Sequence, residues 1–219
     1  GAKLLVRKDG TAVGTLGGGC VEGDIWFAAK SLLKDGGDAH VKDYFLNEDI
    51  AARDGLVCGG TMYFLIDPIG RDDKFKSYAQ EIVSAYNGGQ SVALIELIKT
   101  PANSGLKVGH KALIRADGTV LGKIQDELLW EKCSKISADI MHKGGLKYVS
   151  TKDGFEAVVQ AFTSPPTLLL IGGGHISKKI GDIAKTVGFR IWVVDDRPEY
   201  ANSERFPDAE KTLVAGYKE

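Results

Sequence analysis

Two stretches of the chain share one pattern of apolar and polar positions. Residues 1–14 and 109–122 align without a gap and have eight identical residues in fourteen positions. In each stretch a short apolar run leads into Asp-Gly, which is a strong hairpin signal, and a second apolar run follows. The pattern predicts a β-hairpin in both places and indicates a duplicated structural unit. A chance similarity between two unrelated hairpins is the alternative.

Similar elements are predicted after each hairpin, in the same order. The apolar spacing indicates a helix, a strand and a second strand. These predicted elements are residues 21–34, 41–46 and 61–66 after the first hairpin, and 127–142, 146–151 and 157–162 after the second. We therefore expect an N-terminal α/β domain of residues 1–164 that contains the repeats 1–69 and 91–164.

The second repeat also has predicted elements ahead of its hairpin. A helix is expected over residues 74–86 and a strand over 91–98. The first repeat has no room for such a strand between residue 1 and its hairpin. This difference leads us to expect further sequence ahead of residue 1 in the complete protein.

The pair Pro165-Pro166 marks the predicted domain boundary. Residues 167–195 then read as strand, glycine turn, helix and strand, the opening βαβ unit of a doubly wound sheet. We expect residues 167–219 to form a Rossmann-like C-terminal domain. Because a complete nucleotide-binding half needs another helix and strand, we expect this domain to be partial.

Composition narrows the classes of function. The net charge is −1, and 43% of the residues are hydrophobic and 26% charged, which is typical of a globular protein. No basic stripe favours nucleic acid, and no apolar run approaches the length of a membrane span. Three cysteines make a poor disulfide framework, so we expect a cytoplasmic protein.

The two copies differ at the residues that could carry chemistry. After the first hairpin come Gly17, Gly18, Gly19 and Cys20, whereas the second copy has no such run. Glycines that lead into a helix can expose backbone N–H groups to an anion, and the same field favours a thiolate. The acidic Glu22 opposes a strongly lowered thiol pKa. A tight turn with a small buried cysteine is the alternative.

A second cysteine, Cys58, is followed by Gly59 and Gly60, again without a counterpart in the second copy. The cysteines have no CxxC spacing and no clustered histidines, so we expect no metal site. Two glycine–cysteine turns could converge on one pocket. Cys133 lies in a predicted helix and is expected in the core.

The C-terminal domain has a second glycine turn. Gly172, Gly174 and Ser177 form a GxGxxG-like pattern between a predicted strand and a predicted helix. Asp195 ends the next strand, where an acidic residue usually contacts a ribose hydroxyl. The pattern predicts a Rossmann-like turn that could bind a nucleotide.

His175 follows these glycines, where its ring could contact a phosphate or a substrate. A histidine at a helix start also serves as a cap or packing residue, and both alternatives remain open. The polar run 195–200 is predicted to be a solvated loop.

Several of these motifs together resemble the xanthine dehydrogenase accessory family, XdhC/CoxI. They are GGGCVE at residues 17–22, VCGG at 57–60, LIGGGH at 170–175, VDDRPE at 194–199 and NSERFP at 202–207. The resemblance spans the whole chain. It implies an N-terminal α/β domain followed by a Rossmann-like domain.

The resemblance also implies a function. The expected role is an accessory protein, or chaperone, that binds the molybdenum cofactor and assists its sulfuration and insertion into a xanthine-dehydrogenase-type molybdenum hydroxylase. The assignment of residues to this function is our own inference: Cys20 is the expected catalytic residue, which could approach molybdenum or carry labile sulfur. Expected cofactor contacts come from Gly17, Gly18, Gly19, Cys20, Glu22, Cys58, Gly59, Gly60, Gly172, Gly174, His175 and Asp195.

Expected partners are that hydroxylase and, as a sulfur source, a cysteine desulfurase. Neither nucleic acid nor a membrane is expected, and a homodimer would cover the edges of a short sheet. One alternative is an NAD(P)-dependent oxidoreductase that uses the C-terminal glycine turn, although no hydride-transfer set is evident. Another is a binding module without catalytic activity.

Overall fold

The structure is a computed structural model and describes residues 1–46, 60–70 and 73–216. It divides into two compact units, Gly1–Thr163 and Ser164–Glu219. Within the described ranges, no helix is both long and apolar enough to cross a membrane. The predicted fold class is confirmed: a mixed α/β unit with a duplicated hairpin–helix pattern precedes a Rossmann-like unit.

The first copy consists of four strands and one helix. These are β1 (Lys3–Val6), β2 (Ala12–Thr15), α1 (Gly19–Asp35), β3 (His40–Leu46) and β4 (Gly60–Ile66). The strands form two antiparallel pairs, β1–β2 and β3–β4. In the described part of the chain these pairs are separate two-stranded sheets.

The second copy is larger. Its elements are α2 (Asp73–Tyr86), β5 (Val92–Lys99), β6 (Lys111–Arg115), β7 (Val120–Leu121), α3 (Glu127–Ile140), β8 (Gly145–Ser150) and β9 (Glu156–Phe162). They build a five-stranded sheet in the order β7-β6-β5-β9-β8. The central strand β5 pairs with β6 on one side and β9 on the other. The first copy shows no such central strand among its described residues.

The hairpins of the two copies have the same register. Leu5 pairs with Val13, and Leu113, 108 residues later, pairs with Leu121. The Asp-Gly turns also match bond for bond: the hydroxyl of Thr11 donates to Asp9 at 2.7 Å, and the hydroxyl of Thr119 donates to Asp117 at 2.7 Å. The duplication seen in the sequence is therefore a duplication of structure.

Burial differs sharply between the copies. Helix α2 covers one face of the five-stranded sheet, and α3 covers the other. Leu113 lies beneath α2 and is fully buried, whereas its counterpart Leu5 is 48% exposed. In the first copy α1 packs Val21 and Ile25 against Ile66 of β4. The second copy therefore carries most of the core of this unit.

The two copies contact each other reciprocally. At the start of β1, Lys3 donates to Gln160 on β9 at 2.7 Å. At the start of β6, the equivalent Lys111 forms an ion pair with Asp67, directly after β4. Equivalent lysines thus link each copy to the other.

The second unit is a parallel sheet with one helix. Its elements are β10 (Thr167–Ile171), α4 (His175–Thr186), β11 (Arg190–Asp195) and β12 (Lys211–Val214). The sheet order is β10-β11-β12, with β11 in the centre. Strand β12 was not predicted, because its four residues, KTLV, are too few to show a pattern.

Candidate functional site

The loop between β2 and α1 has an unusual backbone. Gly17, Gly18 and Gly19 have φ values of +114°, +79° and +74°, a region that side-chain-bearing residues rarely adopt. A Cβ at any of the three would meet nothing within 4 Å. Glycine is therefore required here by backbone conformation. The space outside this glycine loop (residues 17–19) is open along its whole length.

The carboxylate of Glu22 organises this loop from inside. Its Oε2 atom accepts from the Thr15 hydroxyl at 2.7 Å, from the Leu16 amide at 2.6 Å and from the Gly18 amide at 3.1 Å. These bonds hold the pKa of Glu22 below its ordinary value, with the Thr15 hydroxyl as the largest cause. The Glu22 carboxylate thus occupies part of the anion-binding position that the glycines predicted.

The equivalent position in the second copy is built differently. Asp126 is the N-cap of α3, and its side chain accepts from the Leu129 amide at 2.7 Å. In the first copy the N-cap is Gly18, which supplies no side-chain cap bond. Trp130 stands where the first copy has Glu22. The start of α1 thus lacks the carboxylate cap that its duplicate has, which leaves its positive end suited to an external anion.

The two described cysteines have opposite surroundings. Cys20 is exposed, in the first turn of α1. Cys133 is fully buried in the core beneath α3, and burial raises the pKa of its thiol to about 12. A thiolate, the reactive form, is therefore strongly disfavoured at Cys133. Cys20 is the described thiol that a ligand in solvent can reach.

The second predicted glycine–cysteine turn lies mostly outside the described residues, since it includes Cys58 and Gly59. Gly60 begins β4, pairs with Leu46 and has a φ of +131°. The convergence of the two turns on one pocket stays a prediction. Within the described ranges, no group of three or more His, Cys, Asp or Glu residues could hold a metal ion.

The glycine turn of the second unit forms as the sequence indicates. Gly172 follows β10 with a φ of +95°, and Gly174 is the N-cap of α4, without a side-chain cap bond. His175 is the first residue of α4. A Cβ at Gly174 would meet nothing within 4 Å, so this part of the turn is open.

Asp195 is placed at the turn but faces inward. Its side chain is fully buried and accepts from the Gly173 amide at 2.7 Å and from the Arg197 guanidinium at 2.9 and 3.1 Å. The guanidinium holds the pKa of this carboxyl far below its ordinary range. A ribose hydroxyl would have to compete with these donors, whereas the neighbouring Asp196 is half-exposed.

The sequence predicted a solvated loop at residues 195–200, but in the structure side chains of this run contact one another. Arg197 lies 3.9 Å and Arg205 4.9 Å from the centre of the Tyr200 ring. Arg205 also donates to the Gly173 carbonyl at 2.7 Å. The sequence does contain a signal for these contacts. Two arginines and a tyrosine follow the acidic end of β11, and an arginine can stack on a tyrosine ring.

Two further clefts lie elsewhere in the first unit. Their volumes are about 470 and 530 Å³, and both are bordered by Asp67, Gly109 and His110. Neither includes a residue of the glycine loop or the exposed cysteine. The candidate site at Cys20 is therefore an open surface loop.

These features define a mixed α/β protein whose duplicated first unit carries one modified loop and whose second unit is Rossmann-like. The XdhC and CoxI family model matches residues 1–44, and the XdhC Rossmann domain model matches residues 168–217. Both matches confirm the resemblance to this family. The first includes the glycine loop and Cys20, and the second includes the Gly172 turn.

Proteins with similar sequences or structures are consistent with this family resemblance. The chain is 25% identical over 218 residues to a protein of Bacillus subtilis that is named as a probable xanthine dehydrogenase subunit. It is 29% identical over 117 residues to the uncharacterized protein YqeB of Escherichia coli, covering 47% of this chain and 22% of that protein. A crystal structure described as a xanthine dehydrogenase from Bacillus halodurans superposes with a TM-score of 0.67 at 23% identity, covering 97% of this chain.

The chain spans only part of these proteins. The match to the B. subtilis relative includes 98% of this chain but 60% of that protein, and the B. halodurans chain is covered to 58%. At this level of identity the likeness to the crystal structure establishes the fold.

Proposed function

We propose that this protein binds the molybdenum cofactor at its glycine loop and delivers it to a xanthine-dehydrogenase-type molybdenum hydroxylase. One observation carries the proposal. The loop with three positive-φ glycines, an uncapped helix start and an exposed thiol occurs in the first copy, while the duplicate has an ordinary capped helix. A duplicated scaffold that keeps its hairpin and changes one loop supports a ligand-binding role for that loop.

The donor set fits the ligand. The cofactor carries an anionic phosphate and sulfur-bound molybdenum, which would supply the reactive centre for the hydroxylase. Backbone amides at the positive end of α1 suit the phosphate. The thiol of Cys20 is a soft ligand suited to a transition metal. The first unit would therefore hold the cofactor by its own backbone and one side chain.

The proposal includes the cellular setting. We place the protein in the cytoplasm, where Cys20 stays a thiol. Its partners would be the hydroxylase and, for the stage at which molybdenum gains a sulfur ligand, a cysteine desulfurase. Homodimer formation and a nucleotide at the Gly172 turn remain predictions.

Replacing Cys20 by alanine is expected to lower cofactor retention by at least about tenfold, because losing even a residue that only supports a metal ligand commonly costs that much. Protein purified without oxygen is incubated with molybdenum cofactor, separated from unbound cofactor, and assayed for retained pterin. Because Cys20 is exposed, the variant should have the same melting temperature as wild-type protein. Equal retention by wild type and variant would remove the role of Cys20. If folded wild-type protein retains none, the carrier function fails.

A glycine substitution separates loop shape from stability. Gly18→Ala places a methyl group at a φ of +79°, and Gly118→Ala does so at +83° in the second hairpin, with open space around both. Gly18→Ala should cost about 1–3 kcal/mol of stability, because its φ of 79° and ψ of −172° lie in a backbone region that is essentially restricted to glycine. Gly118→Ala should cost about 1 kcal/mol. Only Gly18→Ala should lower cofactor retention in the same assay, because only that loop would contact the ligand. Similar losses in both variants would contradict the assignment of the site.

A further inference from the structure

One carboxylate determines the shape of the whole loop ahead of α1. Glu22 Oε2 accepts hydrogen bonds from the Thr15 hydroxyl and from the backbone amides of Leu16 and Gly18. The oxygen of Thr15 in turn accepts from the Gly17 amide at 3.0 Å. Four consecutive residues are therefore tied, directly or through Thr15, to a side chain that lies one turn into the helix.

These bonds divide the backbone amides into two groups. The amides of Leu16, Gly17 and Gly18 point to protein oxygens and are committed to the fold of the loop. The amides of the first turn of α1 begin with Gly19 and receive no side-chain cap from Gly18. An anion at the helix start would meet this second group, so Glu22 need not be displaced for it to bind.

The duplicate shows that a helix start on this scaffold does not need a glutamate one turn into the helix. The second copy has Trp130 at the equivalent position and caps its helix with Asp126. A glutamate that reaches backward appears together with the three positive-φ glycines. Its position therefore follows the special loop and not the shared scaffold.

We propose that Glu22 is a positioning residue that holds the glycine loop in the shape in which the start of α1 and the Cys20 thiol face the cofactor. The inference rests on the proposed function, because it assigns Glu22 a role toward the same ligand. It also differs from the expectation that Glu22 contacts the cofactor itself. The carboxylate of Glu22 accepts hydrogen bonds from three donors of the loop, and these donors offset part of its repulsion of an anionic ligand.

The test has a readout that needs no cofactor. In wild-type protein the backbone amides of Leu16 and Gly18 donate to Glu22, so their hydrogen exchange with solvent at neutral pH should be slow. In Glu22→Ala the acceptor is lost, and both amides should exchange several times faster. In Glu22→Gln the side-chain amide oxygen still accepts hydrogen bonds, so most of this protection should remain.

Cofactor retention then tests the positioning role. Glu22→Ala should lower retention about tenfold, whereas Glu22→Gln should stay within about threefold of wild type, because its amide oxygen still accepts hydrogen bonds. The matched control is Asp126→Ala, which removes the cap at the equivalent helix start and should leave retention unchanged.

Three results would overturn the inference. The first is protection of the Leu16 and Gly18 amides from hydrogen exchange that persists unchanged in Glu22→Ala. The second is protection that is lost from wild-type protein when cofactor is added, because the ligand would then displace Glu22. The third is full retention by Glu22→Ala. If wild-type protein retains no cofactor, the proposed function fails, and hydrogen exchange of the Leu16 and Gly18 amides alone decides whether Glu22 holds the loop.

Discussion

Alanine at Gly173 is expected to destabilise the second unit by about 3 kcal/mol, the upper range for overpacking. A Cβ there would lie 1.9 Å from the carbonyl oxygen of Tyr200 and 2.7 Å from its carbonyl carbon. Neither backbone can move away easily. The Gly173 amide donates to buried Asp195, and its carbonyl accepts from Arg205. Denaturant unfolding of wild type and variant measures the loss.

Gly174→Ala is the matched control for this substitution. Its φ of −67° is open to any residue, and a Cβ would meet nothing within 4 Å. Because Gly174 is the N-cap of α4, where alanine is less favourable than glycine, we expect a loss of no more than about 1 kcal/mol. If Gly173→Ala and wild type have the same denaturant midpoint of unfolding, the close packing of Tyr200 against the glycine turn is contradicted. The comparison separates close packing from a general need for glycine in the turn.

This packing gives the second turn a character different from the first. The loop at Gly17–Gly19 is glycine-rich because of its positive φ values, with open space outside. At Gly173 the requirement is steric, since a neighbouring backbone lies against it. Both turns read as glycine runs in the sequence, although only the first leaves all of its glycines open to a ligand.

Much of the fold could be predicted from the chain because the duplication repeats its strongest signals. The Asp-Gly turns fix the hairpin register in both copies, and the same side-chain bonds form at Asp9 and Asp117. Local patterns determine such elements. By contrast, the contacts that link the two copies, such as the bond from Lys3 to Gln160, join distant segments, and no local pattern encodes them.

The sites were less predictable, for a physical reason. Sequence places Glu22 and Asp195 beside glycine turns, but it does not say which way their carboxylates point. In the structure each carboxylate accepts hydrogen bonds from its own turn. Backbone amides at a turn attract the nearest anion, and a side chain of the same protein is always nearby. An acidic residue next to a glycine run is thus as suited to building the turn as to binding a ligand.

The duplication also supplies a direct measure of where stability resides. Leu113→Ala is expected to cost roughly 3–4 kcal/mol, because Leu113 is fully buried beneath α2 and its truncation leaves a cavity. Leu5→Ala makes the same change at the equivalent hairpin position, where the side chain is 48% exposed, and should cost under about 1 kcal/mol. Denaturant unfolding of both variants provides the values.

The pair is informative because hairpin register and residue type are the same at both positions, so the difference reports packing alone. A large loss for Leu113 and a small one for Leu5 would mean that the second copy holds the first unit together, while the first copy contributes less to stability and carries the glycine loop. Equal losses would contradict this division and would mean that the face around Leu5 is covered in the protein in solution. In that case the first copy would be as constrained as the second, and the loop would be presented from a rigid scaffold on both sides.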